Sequence, residues 1–398
     1  MSERAGWHFW IDRGGTFTDI VARDMHGTSH VLKLLSDDPQ HYDDAPLEGI
    51  RRLLGVAPGA PIPAGQIAAV RMGTTLATNA LLERRGARVA LVVTRGHAGL
   101  LEIGYQERPD LFALRIEKPE LLAERVIEAD ERVLADGTIE QPLDQDALRA
   151  ALYAAQGDGI DAVAVVLLHS YREPAHEIAA GRIAAELGFR QVSLSHQVAN
   201  EVKAVSRGDT TVADAYLTPV LRDYVARVRA ALGPEVPLTF MQSNGGLAAA
   251  GHFTGKNAIL SGPAGGAVAC AALGAAAEQP RLIGFDMGGT STDVCRIDGA
   301  PELRYEQAVA GVRIKAPMTW IETVAAGGGS LLQFDGLRPS VGPESAGAYP
   351  GPTCYGHGGP LAITDANLVL GRIQPRYFPA SRPRLAVRHA TGRLRPAR

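Results

Sequence analysis

Two short segments of this chain carry the same set of chemically active residues. WIDRGGTFTDIVARD covers residues 10–24, and GFDMGGTSTDVCRID covers residues 284–298. Repetition of so rare a combination indicates an internal duplication. The copies share two aspartates, a glycine pair and a threonine at positions 274 residues apart, namely Asp12, Gly14, Gly15, Thr16 and Asp19 in the first and Asp286, Gly288, Gly289, Thr290 and Asp293 in the second.

The glycine pairs predict two phosphate-binding turns. A Gly-Gly turn between two strands exposes consecutive backbone N–H groups, and such a concave patch binds phosphate oxygens without a fixed charge. Thr16 and Thr290 would add hydroxyl donors. A single turn of this kind is as readily a tight turn without function, but two matching copies favour a shared nucleotide. Neither copy has the Gly-x4-Gly-Lys pattern of a P-loop or the strand-to-helix order of a Rossmann turn.

The aspartates predict a metal site at the mouths of these turns. Asp12 and Asp286 end their strands, so their carboxylates are the expected ligands of Mg²⁺, which prefers oxygen and keeps several waters. Asp19 and Asp293 would orient a water, contact the metal through water, or tie down the hairpin. These four aspartates are the predicted catalytic residues.

The elements around the turns are predicted to form an α/β fold with mixed sheets. Residues 7–35 read as a three-strand meander, and residues 281–306 repeat it with a turn at Asp298-Gly299 and a third strand in ELRYEQ. Between them strand-like and helix-like segments alternate. Gly86 and Gly188 are predicted helix ends, and Pro219 should kink or divide a long helix. The Gly- and Pro-rich residues 325–360 read as ordered loops over a site.

Three further motifs leave two interpretations open. Thr74, Thr75 and Asn79 lie where a strand meets a helix, which suits a bound ligand or ordinary capping. Ser243 and Asn244 would line a cleft or form a plain turn. The segment 261–266, SGPAGG, precedes a helix and would cradle an anion or permit close packing.

Composition excludes several protein classes. The 398 residues are 46% hydrophobic and 21% charged, with a net charge of −3, which favours neither a nucleic-acid binder nor a membrane-surface protein. The start of the chain does not resemble a secretory signal, and its longest apolar run is too short to span a bilayer. Three widely spaced cysteines indicate reduced thiols in a cytoplasmic protein. No histidine spacing indicates a transition-metal site.

The whole motif set resembles a known family. Two domains with one such hairpin each resemble the actin-like ATPase superfamily, with its ribonuclease H-like fold. Within it, the ordered motifs IDRGGTFTD, RMGTTLATNALLERRG, MQSNGG, LSGPAGG, VAAGGGS, GPESAGAYPGPTCYGHGGP and TDANLVLGR resemble the hydantoinase A and 5-oxoprolinase family over residues 7–378. Arg13 and KLLSDDPQHYDDAPLEGIRRLLG are more similar to 5-oxoprolinases than to separate-subunit hydantoinases.

The resemblance implies a reaction, its cofactors and a domain division. It implies ATP and Mg²⁺ bound between residues 7–210 and 211–378, with a glycine turn beside the adenosine at Gly327, Gly328, Gly329 and Ser330. The implied reaction is ATP-dependent opening of a cyclic amide, 5-oxo-L-proline to L-glutamate. The alternatives are a hydantoinase A subunit that needs a B subunit, and a nucleotide-binding fragment without catalysis.

The sequence departs from the family in two respects. The part of a 5-oxoprolinase that resembles the hydantoinase B subunit is missing, so a B-like half or subunit is an expected partner, in a homo- or hetero-oligomer. Residues 379–398, rich in arginine and proline, match nothing expected of the family. They read as an aberrant or disordered tail, typical of an out-of-frame reading, which predicts a truncated product.

Overall fold

A computed structural model describes residues 5–106, 112, 114–115, 118 and 120–374. The predicted tail at 379–398 lies outside the described residues. The α-helices are α1 (Ala45–Leu54), α2 (Leu76–Leu82), α3 (Leu100–Ile103), α4 (Gln145–Gly157), α5 (Ala175–Glu186), α6 (Ser195–Val198), α7 (Ala204–Leu232), α8 (Gly255–Ala258), α9 (Ser261–Ala276) and α10 (Ile363–Val369).

Strands alternate with these helices along most of the chain. In order they are β1 (Trp7–Arg13), β2 (Phe17–Arg23), β3 (Ser29–Leu35), β4 (Ile67–Thr74), β5 (Val89–Thr94), β6 (Ala123–Ala129), β7 (Arg132–Val133), β8 (Ile139–Gln141), β9 (Ala162–Val166), β10 (Gln191–Leu194), β11 (Leu238–Met241), β12 (Leu247–Ala249), β13 (Arg281–Met287), β14 (Thr292–Asp298), β15 (Ala300–Pro301), β16 (Leu303–Arg304), β17 (Gln307–Val309), β18 (Val312–Ile314), β19 (Met318–Thr319), β20 (Ile321–Val324), β21 (Ser330–Phe334) and β22 (Pro339–Ser345).

The first sheet carries the first Gly-Gly turn. Its strand order is β12-β11-β4-β1-β2-β3. The strands β1, β2 and β3 form the predicted antiparallel meander. β4 runs parallel to β1, and β11 runs parallel to β4. β1 therefore lies inside the sheet with a paired neighbour on each edge, and this fixes the position of the turn that follows it.

The sheet that carries the second turn is smaller. β13 pairs with β14 in antiparallel register, and β14 also pairs with β15 and with β20. The predicted third strand in ELRYEQ is wrong. The chain does turn at Gly299, which has φ 73°, but Pro301 lacks an N–H donor and only two residues pair with β14 there. The segment β20 takes the place of the third strand beside the turn.

A four-stranded parallel sheet lies between these two in the sequence. Its order is β10-β9-β5-β6. One face joins the main hydrophobic core with the first sheet, α1 and α7, and α4 and α5 cover the other face. The unbroken apolar strands Val89–Thr94 and Ala162–Val166 are fully buried, as expected for a parallel sheet covered on both faces. This large core supports the first sheet rigidly.

Helix α9 connects the two turn-bearing sheets. It packs against β1, β4 and β11 on one side and against β13 and β14 on the other. Its glycines and alanines permit close approach, since a Cβ on Gly274 would lie 2.4 Å from Leu282 Cδ2. Cys270 of α9 and Cys295 of β14 both lie beside Gly284, and both are free thiols.

Several local predictions are corrected by this structure. Gly86 does not end α2, because the helix stops at Leu82 and Gly86 packs instead against the Tyr216 ring. Pro219 does not divide α7, which continues on both sides of it in a buried environment. Gly188 does follow α5 with φ 85°, as predicted. Residues 325–360 contain the β21–β22 hairpin in addition to loops.

Helix positions also bear on the predicted domain division. The boundary between residues 210 and 211 falls inside α7, and β11 and β12 join the first sheet. SGPAGG forms the first turn and a half of α9 rather than a loop before it. The two-part division itself stays a prediction. Within the described part of the chain, no helix has the length and apolar character needed to cross a membrane.

We expect Gly49→Ala to destabilise the first sheet. Gly49 lies on α1, and a Cβ there would lie 1.9 Å from Ile20 Cδ1 of β2. Because Ile20 is fully buried, either its side chain or α1 must shift within a packed core, at a cost of about 1–3 kcal/mol for overpacking. Urea unfolding measures the change. Gly65→Ala is the matched control, because a Cβ at Gly65 meets nothing within 4 Å; equal stability of the two variants would contradict the proposed packing of α1.

Candidate functional site

The first Gly-Gly turn is closed by its own backbone and held by Ser36. Gly14 N–H donates to the Phe17 carbonyl at 3.0 Å. Ser36 Oγ donates to the Gly14 carbonyl at 2.7 Å, and Ser36 N–H donates to the Thr16 carbonyl at 2.9 Å. Three bonds therefore fix the turn before any ligand arrives, which lowers the entropic cost of binding one.

The second turn has the same internal hydrogen bond and a different support. Gly288 N–H donates to the Ser291 carbonyl at 2.9 Å, the equivalent of the Gly14–Phe17 bond. The Gly288 and Gly289 carbonyls accept from Gly328 N–H at 2.9 Å and Gly329 N–H at 2.6 Å. The glycine turn predicted beside an adenosine thus lies directly against the second turn.

The remaining members of that glycine turn hold its shape. Gly327 N–H donates to Ser330 Oγ at 3.0 Å, and Ser330 is buried. Thr364 Oγ1 donates to the Gly328 carbonyl at 2.8 Å. A Cβ on Gly327 would lie 2.7 Å from the Gly289 carbonyl carbon. Glycine is therefore required here by backbone-to-backbone contact, whether or not a base lies nearby.

The two turns touch each other. A Cβ on Gly289 would lie 2.4 Å from Thr16 Oγ1. Thr16 is buried in this contact, whereas Thr290 is exposed. The two predicted hydroxyl donors are therefore not equivalent. Residues almost three hundred positions apart in the sequence meet at one point of the fold.

Strand register brings the four aspartates together as two pairs. Asp12 lies opposite Asp19 across β1 and β2, and Asp286 lies opposite Asp293 across β13 and β14. Like charges placed directly across an antiparallel pair repel each other. Such pairs persist only where a cation or a hydrogen-bond donor compensates them.

Each pair has one aspartate with a partner from the third strand. Lys33 Nζ on β3 contacts Asp19 Oδ1 at 2.7 Å and Oδ2 at 2.6 Å. Thr323 Oγ1 on β20 donates to Asp293 Oδ1 at 2.7 Å. Among the described residues, the carboxylates of Asp12 and Asp286 accept no side-chain hydrogen bond. Asp19 and Asp293 thus have partners, and Asp12 and Asp286 are the two carboxylates left for a ligand.

The Asp12 carboxyl has a raised pKa. Desolvation raises it first, then the negative charges of Asp19 and Asp286, and Lys33 opposes them only partly, so that the pKa of Asp12 lies at about 6. Desolvation, and to a lesser extent Asp286, also raises the pKa of Asp293. Asp12 and Asp286 are therefore close enough to interact across the contact between the two turns.

This donor set fits Mg²⁺ better than it fits a tightly coordinated metal. No group of three or more His, Cys, Asp or Glu side chains arranged to hold a metal occurs in the described ranges. Mg²⁺ needs only one or two carboxylates when phosphates and waters supply the other ligands. The excess negative charge between the turns favours such a cation, and Asp12 and Asp286 would hold it.

Backbone segments from the first sheet and α9 surround the Asp12 carboxylate. Asp12 Oδ1 would lie 3.0 Å from a Cβ on Gly73 and 3.4 Å from one on Gly262. Thr74 N–H donates to Ser261 Oγ at 3.2 Å, which joins β4 to the start of α9. A side chain at position 73 would therefore crowd the Asp12 carboxylate.

The residues between β4 and α2 lie beside the first turn. Thr75 N–H donates to the Arg13 carbonyl at 3.1 Å. Asn79 Nδ2 would lie 3.6 Å from a Cβ on Gly15. Thr74 is fully buried, and its Oγ1 accepts from Leu76 N–H at 3.1 Å in a local turn just before α2. Thr75 and Asn79 therefore border the site, while the Thr74 hydroxyl is used within this turn.

Ser243 and Asn244 make the contacts of a turn. The buried Ser243 Oγ donates to the Asn257 carbonyl at 2.9 Å and accepts from Leu260 N–H at 3.0 Å. Asn244 Oδ1 accepts from Gly246 N–H at 2.9 Å. Both polar groups are used in shaping the segment that leads to α9. A substrate role for this pair stays a prediction.

Sequence reasoning missed three side chains that support the site. The sequence predicts no role for Thr323, or for Lys33 and Ser36 although both lie in the segment KLLSDDPQHYDDAPLEGIRRLLG, yet all three contact the aspartates or the first turn. A signal does exist for two of them, because Lys33 and Thr323 occupy matching positions opposite Asp19 and Asp293. The correct third strand of the second meander would have revealed this match.

A separate cavity of about 630 Å³ lies away from the turns. Its lining residues come from α3, β6, α7 and β18, and include Tyr105, Lys118, Glu120, Asp209 and Arg313. Asp209 and Arg313 form an ion pair at 2.8 Å. None of the predicted site residues lines this cavity.

Comparisons with known proteins agree with the family resemblance. The sequence profile of the hydantoinase/oxoprolinase N-terminal region matches residues 8–188, and the hydantoinase/oxoprolinase profile matches residues 207–395. 5-Oxoprolinase 1 of Arabidopsis thaliana is 50% identical over 94% of this chain and 32% of its own length. Caprolactamase subunit alpha of Pseudomonas jessenii is 36% identical over 91% of this chain and 54% of its own.

A solved structure shares the fold. The crystal structure of ATP-dependent caprolactamase from Pseudomonas jessenii superposes with a TM-score of 0.74 at 34% identity, and covers 92% of this chain and 55% of that one. The actin-like α/β fold predicted from the duplicated hairpins is confirmed. The chain spans about a third of the length of the 5-oxoprolinase it matches.

Replacement of Asp12 should raise stability in a pH-dependent way. A carboxyl with a raised pKa in the folded state favours folding at low pH, and this contribution is lost as the pH rises through about 6. Asp12→Asn removes the ionisation, so its free energy of unfolding should exceed that of the parent by an amount that grows between pH 4 and pH 7 and then stays constant. Because Asp12 is reachable by solvent, we expect this difference to reach only about 1 kcal/mol.

Urea unfolding without Mg²⁺ or nucleotide at pH 4.5, 6 and 7.5 measures this difference. Glu140→Gln, on the exposed strand β8, is the control and should show no such trend. A pH-independent loss of stability in Asp12→Asn would contradict the proposed charge repulsion between the turns.

Proposed function

Because this chain belongs to the hydantoinase/oxoprolinase family, we propose that it is the ATP-binding part of an enzyme that opens a cyclic amide. The proposed substrate is 5-oxo-L-proline, and the proposed products are L-glutamate, ADP and phosphate. The relatives named 5-oxoprolinase and ATP-dependent caprolactamase support this reaction class. We also propose a cytoplasmic location, in keeping with three free thiols.

A single observation carries the proposal: the contact between the two Gly-Gly turns at Thr16 and Gly289. Gly14 and Gly288 use their own N–H groups to close the turns. The next N–H groups in each turn are then positioned for phosphate oxygens, from opposite sides. A triphosphate bound there would lie against both Asp12 and Asp286.

Mg²⁺ would supply charge neutralisation for the phosphate oxygens at this point. Asp12 and Asp286 would hold it, directly or through water. Asp19 and Asp293, which Lys33 and Thr323 hold in place, would keep Asp12 and Asp286 oriented. The raised pKa of Asp12 means that cation binding competes with a proton below about pH 6.

The proposed chemistry follows from the stability of the amide. Resonance makes the lactam carbonyl a poor electrophile. Transfer of the γ-phosphoryl group to the lactam oxygen breaks the bond to ADP and weakens that resonance. One water then adds to the carbonyl carbon, the C–N bond breaks with a proton to nitrogen, and a second water releases phosphate from the resulting carboxyl phosphate. The chain's part in the first step is positioning and charge stabilisation.

The remaining steps need groups that we do not assign to this chain. The four aspartates near the turns already have proposed roles in the phosphate site. Among the described residues beside them, we assign no catalytic base. We therefore propose that a hydantoinase B-like polypeptide completes the enzyme. The name of the caprolactamase relative, a subunit alpha, supports a partner subunit.

A second candidate is a nucleotide-binding module without catalysis. The observation in its favour is that the two turns are well ordered while no catalytic base is assigned beside them. A third is a hydantoinase A subunit that acts on a hydantoin ring with a B subunit. The two following experiments separate these candidates.

Removal of either free carboxylate should weaken Mg²⁺-dependent ATP binding. We expect Asp12→Ala and Asp286→Ala to raise the Kd for MgATP at least tenfold, measured by isothermal titration, while circular dichroism stays unchanged. Asp298→Ala is the matched control, because Asp298 is an exposed aspartate on β14, at the end of the β13–β14 hairpin away from the Gly-Gly turn. If both site variants bind MgATP as tightly as the parent, the assignment of the site is wrong.

Substrate-dependent ADP formation tests the reaction. We expect the chain, co-expressed with a hydantoinase B-like polypeptide, to form ADP when 5-oxo-L-proline is added. Dependence on a hydantoin instead would favour the hydantoinase A candidate. ATP binding without any substrate-dependent ADP would favour the non-catalytic module and reject the proposed reaction.

A further inference from the structure

The two copies of the duplicated hairpin differ in the pairing of their first strand. In the first copy, β1 is paired on both edges, with β2 on one side and with β4, in parallel, on the other. In the second copy, β13 pairs with β14, and within the described ranges no strand pairs with its other edge. An open edge of seven residues offers unpaired N–H and C=O groups to another strand.

The copies also differ in burial at matching positions. Phe9 and Ile11 on β1 are 0% and 3% exposed, and their counterparts Ile283 and Phe285 on β13 are 64% and 69% exposed. The difference continues on the third strand of each copy, where Leu34 is 5% exposed and its counterpart Val324 is 58% exposed. Most of these matching positions are apolar in both copies, whereas burial differs; the exceptions are Arg296 and Glu322, which share the face with Ile283 and Phe285 and correspond to Ala22 and Leu32.

The first copy shows what covers such a face. Helix α1 packs on β1, β2 and β3, and places Leu47 and Ile50 in the same core as Phe9 and Ile11. The other face of β13 and β14 is already covered by α9, with Cys295, Ile297 and Ile321 in a small core. In the part of the chain that the structure describes, no helix occupies the place over β13 that α1 has over β1.

An apolar sheet face together with an open strand edge has the character of an interface. We name the uncovered face by its residues Ile283, Phe285, Val294 and Val324. Burial of these large side chains would remove apolar surface from water and so stabilise a complex. Backbone pairing with the β13 edge would add specificity, since a parallel strand would extend the sheet as β4 extends the first.

We propose that the uncovered face and the β13 edge are a docking site for a polypeptide segment that adds a parallel β-strand to β13 and lays an apolar helix over the face. The occupant is the part of the 5-oxoprolinase chain that lies outside the region matched here, about two thirds of that relative's length. A second copy of this chain is a poorer occupant. Two identical β13 edges related by a two-fold axis would pair antiparallel, unlike β1 and β4.

This docking site is independent of the proposed reaction. It follows from the unequal burial of two matching sheets, so it would hold for a chain that bound no nucleotide. Conversely, ATP binding at the turns would survive if nothing docked on β13. Failure of one proposal is therefore distinguishable from failure of the other.

Co-expression tests the docking site. The partner is the part of Arabidopsis 5-oxoprolinase 1 that this chain does not match. Its ends are chosen so that it assembles with the matched part of the same plant protein. We expect it to co-purify with this chain and to slow hydrogen exchange of the open-edge amides in 281–287, which are those that do not donate to β14. Phe285→Asp should raise the Kd at least tenfold, because a charge would be buried in the interface.

Val31→Asp is the matched control. Val31 is an exposed apolar residue on β3, the edge strand of the first sheet, and the substitution should leave the affinity unchanged. Absence of a complex, or equal effects of the two variants, overturns the proposal. Slow exchange of these open-edge amides already in the free chain would also overturn it, and sedimentation would then show whether a second copy or the chain itself covers the face.

Discussion

Direct contact between two glycine turns is the constraint on which this structure depends. Thr16 fits against Gly289 with no space for a side chain, and Gly327 fits against Gly289 from the other side. This contact also brings Asp12 and Asp286 close enough for their charges to interact. The large core beneath the first sheet keeps one turn fixed, and α9 carries the other to it.

The same contact creates an electrostatic problem that the two copies solve differently. Lys33 places a full positive charge on Asp19, while Thr323 offers Asp293 only a hydroxyl. The second pair therefore keeps more of its negative charge. Because Asp12 already has a pKa of about 6 from desolvation and its acidic neighbours, the site as a whole is short of positive charge. A cation bound between the turns would relieve a repulsion already present in the fold.

Sequence alone predicted the parts of this arrangement that a repeated motif encodes. The meander of residues 7–35, the second hairpin and the matching turns were all readable from Asp, Gly-Gly and Thr at equal spacing. Lys33, Ser36 and Thr323 were not, because each acts through strand register, and register in the second copy depended on β20 replacing the expected third strand. The prediction that Gly86 ends a helix was wrong for a similar reason. A glycine after a helix usually ends it, but here the close approach of the Tyr216 ring requires the glycine.

Contacts between distant segments explain the glycines around the aspartates, which the motifs contain without giving a reason for them. Gly73, Gly262, Gly289 and Gly327 come from four distant segments, and a Cβ on each would lie 3.1 Å or less from another segment or from the Asp12 carboxylate. Such a requirement is a property of the assembled fold, so the local sequence does not explain it. The same reasoning accounts for the unequal copies of the sheet. Duplication preserved the apolar residues at Ile283 and Phe285, but burial depends on what packs above them, and that differs between the two copies. A repeated sequence therefore specifies a repeated hairpin, whereas the surroundings of each hairpin are specified elsewhere in the chain or in its partner.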